Sequence, residues 1–405
     1  MDAAVVDSPS DIGHDRPVNR DVADAATDVG MPTDGLGDAG DDVTRDRPDA
    51  SADRSDGACS SAECREIRAV YATGQGTVVV RADGTTRYWG NWQLQFNRPF
   101  RGPTIPPGAV VAATEFLACA LWEDASLRCW GAGLGGLGRG DGGDELRMSV
   151  SAEPLLADIR QLGLFAVRRC AVNSRAEMYC WGEGDTSGIQ WPTPVRQPLP
   201  SGFSRFATCQ DGLSVCYHTL DGSVRCGVTN FVGPSGECAA TPPPDPVEIP
   251  EIHGALSVSL GRPGGCAVLA DARVSCWAYN QTDFSVLPSP TGNRCLQRPV
   301  VVPGLAGVAE VGMGYEHVCA LLLDGSVSCF GRNSAGQLGL GSIDNERMYP
   351  VAPVAGLPPV AQLAVGSAHN CALTRDHRLF CWGVTSLRTP ATDPQPTPTE
   401  VVFPD

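Results

Sequence analysis

Six cysteine pairs share one spacing. Cys119/Cys129, Cys170/Cys180, Cys216/Cys226, Cys266/Cys276, Cys319/Cys329 and Cys371/Cys381 each lie ten residues apart. Cysteines at a fixed spacing can ligate zinc, exchange disulfides, supply a nucleophile or close a structural bridge. Zinc needs four ligands brought together, and each pair supplies two, with successive pairs 51, 46, 50, 53 and 52 residues apart. A redox pair takes the C-x-x-C spacing, which is absent. Six equivalent copies do not make one nucleophilic site. Between bridges and free buried thiols, the spacing favours bridges. Two antiparallel strands joined by a three-residue loop set residues i and i+10 opposite each other, within the separation a disulfide tolerates. The loop centre is then Asp124, Arg175, Asp221, Asp271, Asp324 or Asp376, and Asp suits a turn in which the side chain bonds its own backbone. The reading carries a register: Cys319 faces Cys329, whereas a two-residue loop would turn the two sulfurs to opposite faces.

Other residues invite chemistry less strongly. Cys59 and Cys64 are expected to pair, Cys238 and Cys295 to bridge consecutive units, and Cys209 to stand alone. "GAGLGGLG" (131–138) contains a G-x-G-x-x-G match, but further glycines follow where a phosphate loop needs a helix. His317 and His369 each precede a first cysteine by two, and matching repeat positions point to buried anchors rather than bases. Neither H-E-x-x-H nor G-x-S-x-G occurs. No catalytic residue, metal ligand or cofactor site is assigned. Trp92, Trp122, Trp191 and Tyr279 fall outside the repeated aromatic position and are the expected ligand contacts.

These residues are positioned by a repeat. The cores read "CALWEDASLRCWG" (119–131), "CAVNSRAEMYCWG" (170–182), "CYHTLDGSVRCGV" (216–228), "CAVLADARVSCWA" (266–278), "CALLLDGSVSCFG" (319–331) and "CALTRDHRLFCWG" (371–383). A seventh, "VVVRADGTTRYWG" (78–90), has Val78 and Tyr88 in place of the cysteines. An apolar run precedes each core and a proline-flanked run follows it, as in "VAEVGMG" (308–314) and "YPVAPVAGL" (349–357). Four short strands per unit and this period predict the blades of a propeller. Nearly unbroken apolar strands suit sheets covered on both faces. The aromatic after the second cysteine is Trp89, Trp130, Trp181, Trp277, Phe330 or Trp382, expected to pack between blades.

"GYEHVCALLLDGSVSCFGRNSAGQLGLGS" (314–342) and "GSAHNCALTRDHRLFCWG" (366–383) resemble repeats of the regulator-of-chromosome-condensation family. The resemblance covers roughly 66–403 and implies an all-β, seven-bladed propeller of four-stranded blades. Blades are expected to start near 66, 110, 159, 203, 255, 308 and 360, with a closing strand at 396–403 that completes the first blade. The family includes nuclear exchange factors for a small GTPase, secreted bacterial inhibitors and bacterial surface proteins. Paired cysteines and the lack of a basic DNA-facing segment set this chain apart from the nuclear members, so an exchange-factor role is not expected.

The compartment follows from composition. Residues 1–57 hold 15 Asp, five Arg, no Glu, no aromatic and no cysteine, which predicts a solvated acidic tether ahead of a domain at 58–405. The whole chain of 405 residues carries −16 with no lysine, which argues against nonspecific nucleic-acid binding. No apolar stretch is long enough to span a membrane. Disulfides persist in oxidising compartments, yet the N-terminus shows no secretory leader; a signal or lipoprotein leader is expected upstream of Met1. The expected function is non-enzymatic: a monomeric, bacterial, secreted or surface-tethered propeller that binds protein or glycan through its loops. The alternative is an extracellular lyase or hydrolase with its site at the central channel.

Overall fold

The computed structural model describes residues between 66 and 403, apart from several loops, of which the longest are 91–99, 132–148, 228–246, 279–298 and 386–393. The described strands form seven antiparallel-built sheets in chain order. The sixth is typical. Val308–Met313, His317–Leu322, Val327–Asn333 and Asp344–Pro353 lie side by side in sequence order. The seventh repeats it with Val360–Val365, His369–Thr374, Leu379–Gly383 and Gln395–Glu400, and the first with Ile67–Ala72, Gly76–Arg81, Thr86–Gly90 and Phe100–Arg101.

The tight hairpin inside each blade explains the pattern. Leu322 N donates to Ser326 O and Gly325 N to Leu322 O, leaving Leu323, Asp324 and Gly325 as a three-residue loop. The loop's last residue is left-handed. Gly84, Gly222 and Gly325 take that conformation at no steric cost, while Ala176, Ala272 and His377 adopt it without that freedom. Asp324 Oδ1 accepts from Ser326 N at 2.8 Å, and Asp221 and Asp271 accept in the same way from Ser223 N and Arg273 N.

Two expectations need correction. Six sheets are four-stranded, but the fifth has five strands. Thr208–Cys209, leaving the fourth blade's first strand, pairs in parallel with Ser257–Gly261, so Cys209 sits opposite Leu260. A two-residue backbone ladder thus joins the fourth and fifth units. The C-terminal strand does not complete the first blade either. Gln395–Glu400 pairs with Leu379–Gly383 of its own unit, Cys381 opposite Thr399. Each described fourth strand folds back on the third strand of the unit it ends, so, apart from Thr208–Cys209, each blade is drawn from one segment of sequence and none is shared between the chain's two ends.

The ring closes by side chains instead. First strands of neighbouring sheets touch around a central axis, with Thr208–Cys209 making the contact between the fourth and fifth, and that of the seventh touches that of the first. Ile67, Val70, Val79 and Trp89 share one core with Ala364, Leu373 and Leu379, and Val401 and Phe403 pack against it. The Phe403 ring lies 5.5 Å from that of Trp89 and beneath the Arg81 guanidinium. Residues 1–65, and with them the expected tether and the Cys59–Cys64 pair, lie outside the described residues, as do Cys238 and Cys295.

Candidate functional site

The cysteines do what their spacing predicts. Cys170–Cys180, Cys216–Cys226, Cys266–Cys276, Cys319–Cys329 and Cys371–Cys381 are disulfides between directly opposed residues, with Cα–Cα distances of 4.0–4.1 Å. Cys319 stands opposite Cys329 and Val318 opposite Phe330, as the register argument requires. Cys119 is also disulfide-bonded and stands opposite Cys129. Each bridge is sealed by the following blade. Cys266–Cys276 shares a core with Val311, Met313 and Phe330, Cys319–Cys329 with Val360 and Trp382, and Cys371–Cys381 with Val70 and Trp89. The repeated aromatic of one unit therefore lies over the bridge of the unit before it, and Trp89, Trp181, Trp277, Phe330 and Trp382 are all fully buried.

The two histidines marked by their repeat position are anchors between blades. His317 Nε2 lies 2.9 Å from Asn370 Oδ1, and His369 Nε2 lies 3.0 Å from Thr77 Oγ1. Both histidines stand two before their first cysteine. Asn370 and Thr77 stand one before Cys371 and its counterpart Val78. One device is thus used twice, each time reaching into the next unit around the ring. Asn370 Nδ2 donates to Gln337 O, which leaves its Oδ1 as acceptor and puts the proton of His317 on Nε2. Burial depresses both imidazoles to about 4, so they are neutral at ordinary pH. The same Gln337 carbonyl accepts from Trp382 Nε1 at 3.0 Å. The glycine-rich "GRNSAGQLGLGS" is therefore a lock between the sixth and seventh blades, with Leu338 fully buried. At Gly336 a Cβ would meet Pro396 Cα at 2.7 Å.

A second set of polar residues was hidden in the apolar runs. The first strand of each blade is an edge strand with backbone groups facing its neighbour, and such edges need covering. A bulge early in the strand, between Val308 and Glu310, Val360 and Gln362, or Phe203 and Arg205, re-aims the following side chain. Gln362 Oε1 accepts from Val70 N at 3.0 Å. Glu310 accepts from the backbone of Leu363. Gln161 Nε2 donates to Ser204 O at 2.7 Å, and the Arg205 guanidinium donates to Leu256 O. The first three reach the next blade's first strand, and Arg205 the residue just before it. Burial lifts the Glu310 carboxyl to about 7, against the stabilising bond from Leu363. The signal for these caps is a polar residue at the third position of these first strands.

The two faces of the ring differ. One carries the short hairpin turns, where Leu220 and Leu323 are 80% and 66% exposed, and the connection into the fifth blade, where Leu256 is 55% exposed. The other carries the loops between third and fourth strands. Their lengths run from six residues (184–189) to 21 (279–299). Of the four aromatics expected to contact ligand, Trp92, Trp122 and Tyr279 lie outside the described residues. Trp191 lies on the outermost strand of the third blade, Gln190–Gln197, opposite Gly182. The "GAGLGGLG" loop is likewise outside the described residues beyond Gly131. Among the described residues no three His, Cys, Asp or Glu side chains converge on a metal-sized site, and no helix is long and apolar enough to cross a membrane.

Four-stranded blades set around an axis, capped edge to edge, define a β-propeller. Residues 308–337 and 324–373 match the regulator of chromosome condensation (RCC1) repeat. The chain is 24% identical over 316 residues to the RCC1 domain-containing mitochondrial protein RUG3 of Arabidopsis thaliana, covering 71% of this chain and 70% of that one. It is also 24% identical over 319 residues to the Arabidopsis ultraviolet-B receptor UVR8, covering 75% and 72%. Among solved structures it matches that of Kap60 bound to yeast RCC1 (Prp20), with a TM-score of 0.64 and 18% identity over 88% of this chain and 91% of the other. Identity that low establishes the fold alone.

Proposed function

We propose that the protein is a non-enzymatic interaction propeller of seven blades. It works in an oxidising compartment, secreted or held at a cell surface by residues 1–57, and presents its third-to-fourth-strand loops to a protein or glycan. One observation carries the reading. His317, His369, Asn370 and Thr77 are committed to blade-to-blade bonds, while the loops of one face vary from six to 21 residues. A rigid scaffold with variable loops is the usual arrangement for recognition. The buried disulfides support the oxidising compartment. The test replaces loops 228–246 and 279–299 by short Gly-Ser linkers and repeats a crosslinking pull-down from outer-surface and culture-medium fractions. Partners lost at an unchanged melting temperature support the reading; partners fully retained sink it.

Glu310 favours a second reading, a channel enzyme of the lyase or hydrolase class. Its carboxyl lies on an innermost strand and is lifted to about 7, the range a general acid uses. Polysaccharide cleavage by the wild type, lost in Glu310→Gln, would establish it. Absence of cleavage across a panel of acidic and neutral glycans would leave Glu310 as an edge cap.

A further inference from the structure

We infer that each disulfide is closed before the neighbouring blade docks, and that in the finished ring a thiol reaches a bridge only where two blades part, first at the seam between the seventh and first blades. The bridged cysteines whose burial is described are at most 3% exposed, and the bridges of the fourth to seventh blades lie under the next unit's strand and aromatic. Cys216 and Cys226 share their core with Leu260 and Trp277, Cys266 and Cys276 with Met313 and Phe330, Cys319 and Cys329 with Leu363 and Trp382, and Cys371 and Cys381 with Val70 and Trp89.

Thiol–disulfide exchange needs in-line access to a sulfur. Forming a bridge transfers two electrons and two protons from the cysteine thiols to a small disulfide oxidant, which leaves as two thiols. Cleaving it requires a thiolate to attack one sulfur, form a mixed disulfide and expel the other cysteine as thiolate. A dithiol then closes on itself and releases the first cysteine. Neither step has room under a docked blade, so oxidation belongs to the free hairpin, whose tight turn already sets the two cysteines opposite.

The seam is distinct in its connectivity. At the sixth-to-seventh junction the chain itself crosses between the blades, through Val354 to Pro359. The seventh and first blades share no strand and are joined by side chains: His369 to Thr77, Gln362 to Val70 N, His377 to Glu66 at 2.8 Å and to Ile67 O at 3.1 Å. The Thr77 hydroxyl also lies 3.8 Å from Cys371 Sγ. Opening here uncovers Cys371–Cys381 and leaves the other bridges sealed.

The test incubates the native full-length protein with dithiothreitol, traps free thiols with a maleimide at timed intervals and maps them by peptide mass. Cys371 and Cys381 are expected to label first and together, ahead of Cys266/Cys276 and Cys319/Cys329. Thr77→Val is expected to speed their labelling roughly tenfold, the weight of one buried hydrogen bond, without changing the rate at Cys266 and Cys276. Uniform labelling of all bridges, or Cys371 and Cys381 labelling last, overturns the inference; the wild-type order decides it even where the variant fails to fold. A second arm oxidises the reduced, unfolded chain with glutathione disulfide and follows tryptophan burial by near-ultraviolet circular dichroism. Bridges are expected to precede burial, and burial completed while the thiols remain free overturns the order.

Discussion

His369 of the last blade and Thr77 of the first, 292 residues apart in sequence, lie in hydrogen-bond contact with Nε2 3.0 Å from Oγ1. Both side chains are buried. Thr77→Val keeps the shape and removes the partner, leaving a buried imidazole nitrogen without its bond. The expected cost is about 1–3 kcal/mol, read as a lower midpoint in urea. Asn370→Leu at the equivalent junction is expected to cost more, because it orphans His317 Nε2 and takes from the Gln337 carbonyl one of its two donors, leaving only Trp382 Nε1.

Acid should loosen the ring. His317, His369 and His218 are held near 4 chiefly by burial, below the unfolded value near 6.5. The unfolded chain binds more protons in that window, so the stability these residues contribute is present above about 6.5 and is lost as pH falls toward 4. The melting temperature is expected to fall steeply between pH 6.5 and 4, and a flat profile would contradict neutral buried imidazoles.

Glu310 acts in the opposite direction. Its folded value of about 7 lies above the ordinary carboxylate range, so the folded chain holds the proton more tightly. Stability from this group is complete below about 4.5 and declines as pH rises through 7. Glu310→Gln, which copies Gln362 one blade on, is expected to match the wild type near pH 4.5 and exceed it by roughly 1–3 kcal/mol at pH 8. Paired pH series of the two proteins check this.

Removing one bridge by Cys319→Ala with Cys329→Ala is expected to cost about 2–3 kcal/mol in the chain-entropy model. The single variant Cys319→Ala tests burial as well: its remaining thiol at Cys329 should resist a maleimide until denaturant is added.

Ala272 occupies a left-handed turn position at φ 59°, where the repeat elsewhere places Gly325 and Gly222. Ala272→Gly is expected to stabilise by about 1 kcal/mol. A destabilised variant would mean that loss of chain entropy on folding outweighs the relief.

The sequence exposed what repeats with constant chemistry. Cysteines ten apart determine a register, and that register gives the hairpin, the bridge and the buried aromatic. His317 and His369 were visible as matched positions, but their partners were not, since Asn370 and Thr77 differ in type and lie in the following unit. Gln161, Arg205, Glu310 and Gln362 were hidden by their differences. An edge strand's exposed amide or carbonyl accepts a cap from any polar side chain that can reach it, so geometry is kept while residue type drifts. A proline-flanked run at the chain's end, with none ahead of "IRAVYATG", suggests a strand lent to the first blade, but a fourth strand pairs with the third strand nearest it in sequence, here Leu379–Gly383.

The contiguity of the last blade has a consequence for how such a chain can change. Because all four strands of Val360–Glu400 come from one uninterrupted segment and none is lent to the first unit, a unit built this way is a self-contained cassette. A gene can duplicate or drop one without stranding a half-blade at either end, and the ring it builds can gain or lose a member by the same side-chain clasps that already join first to last.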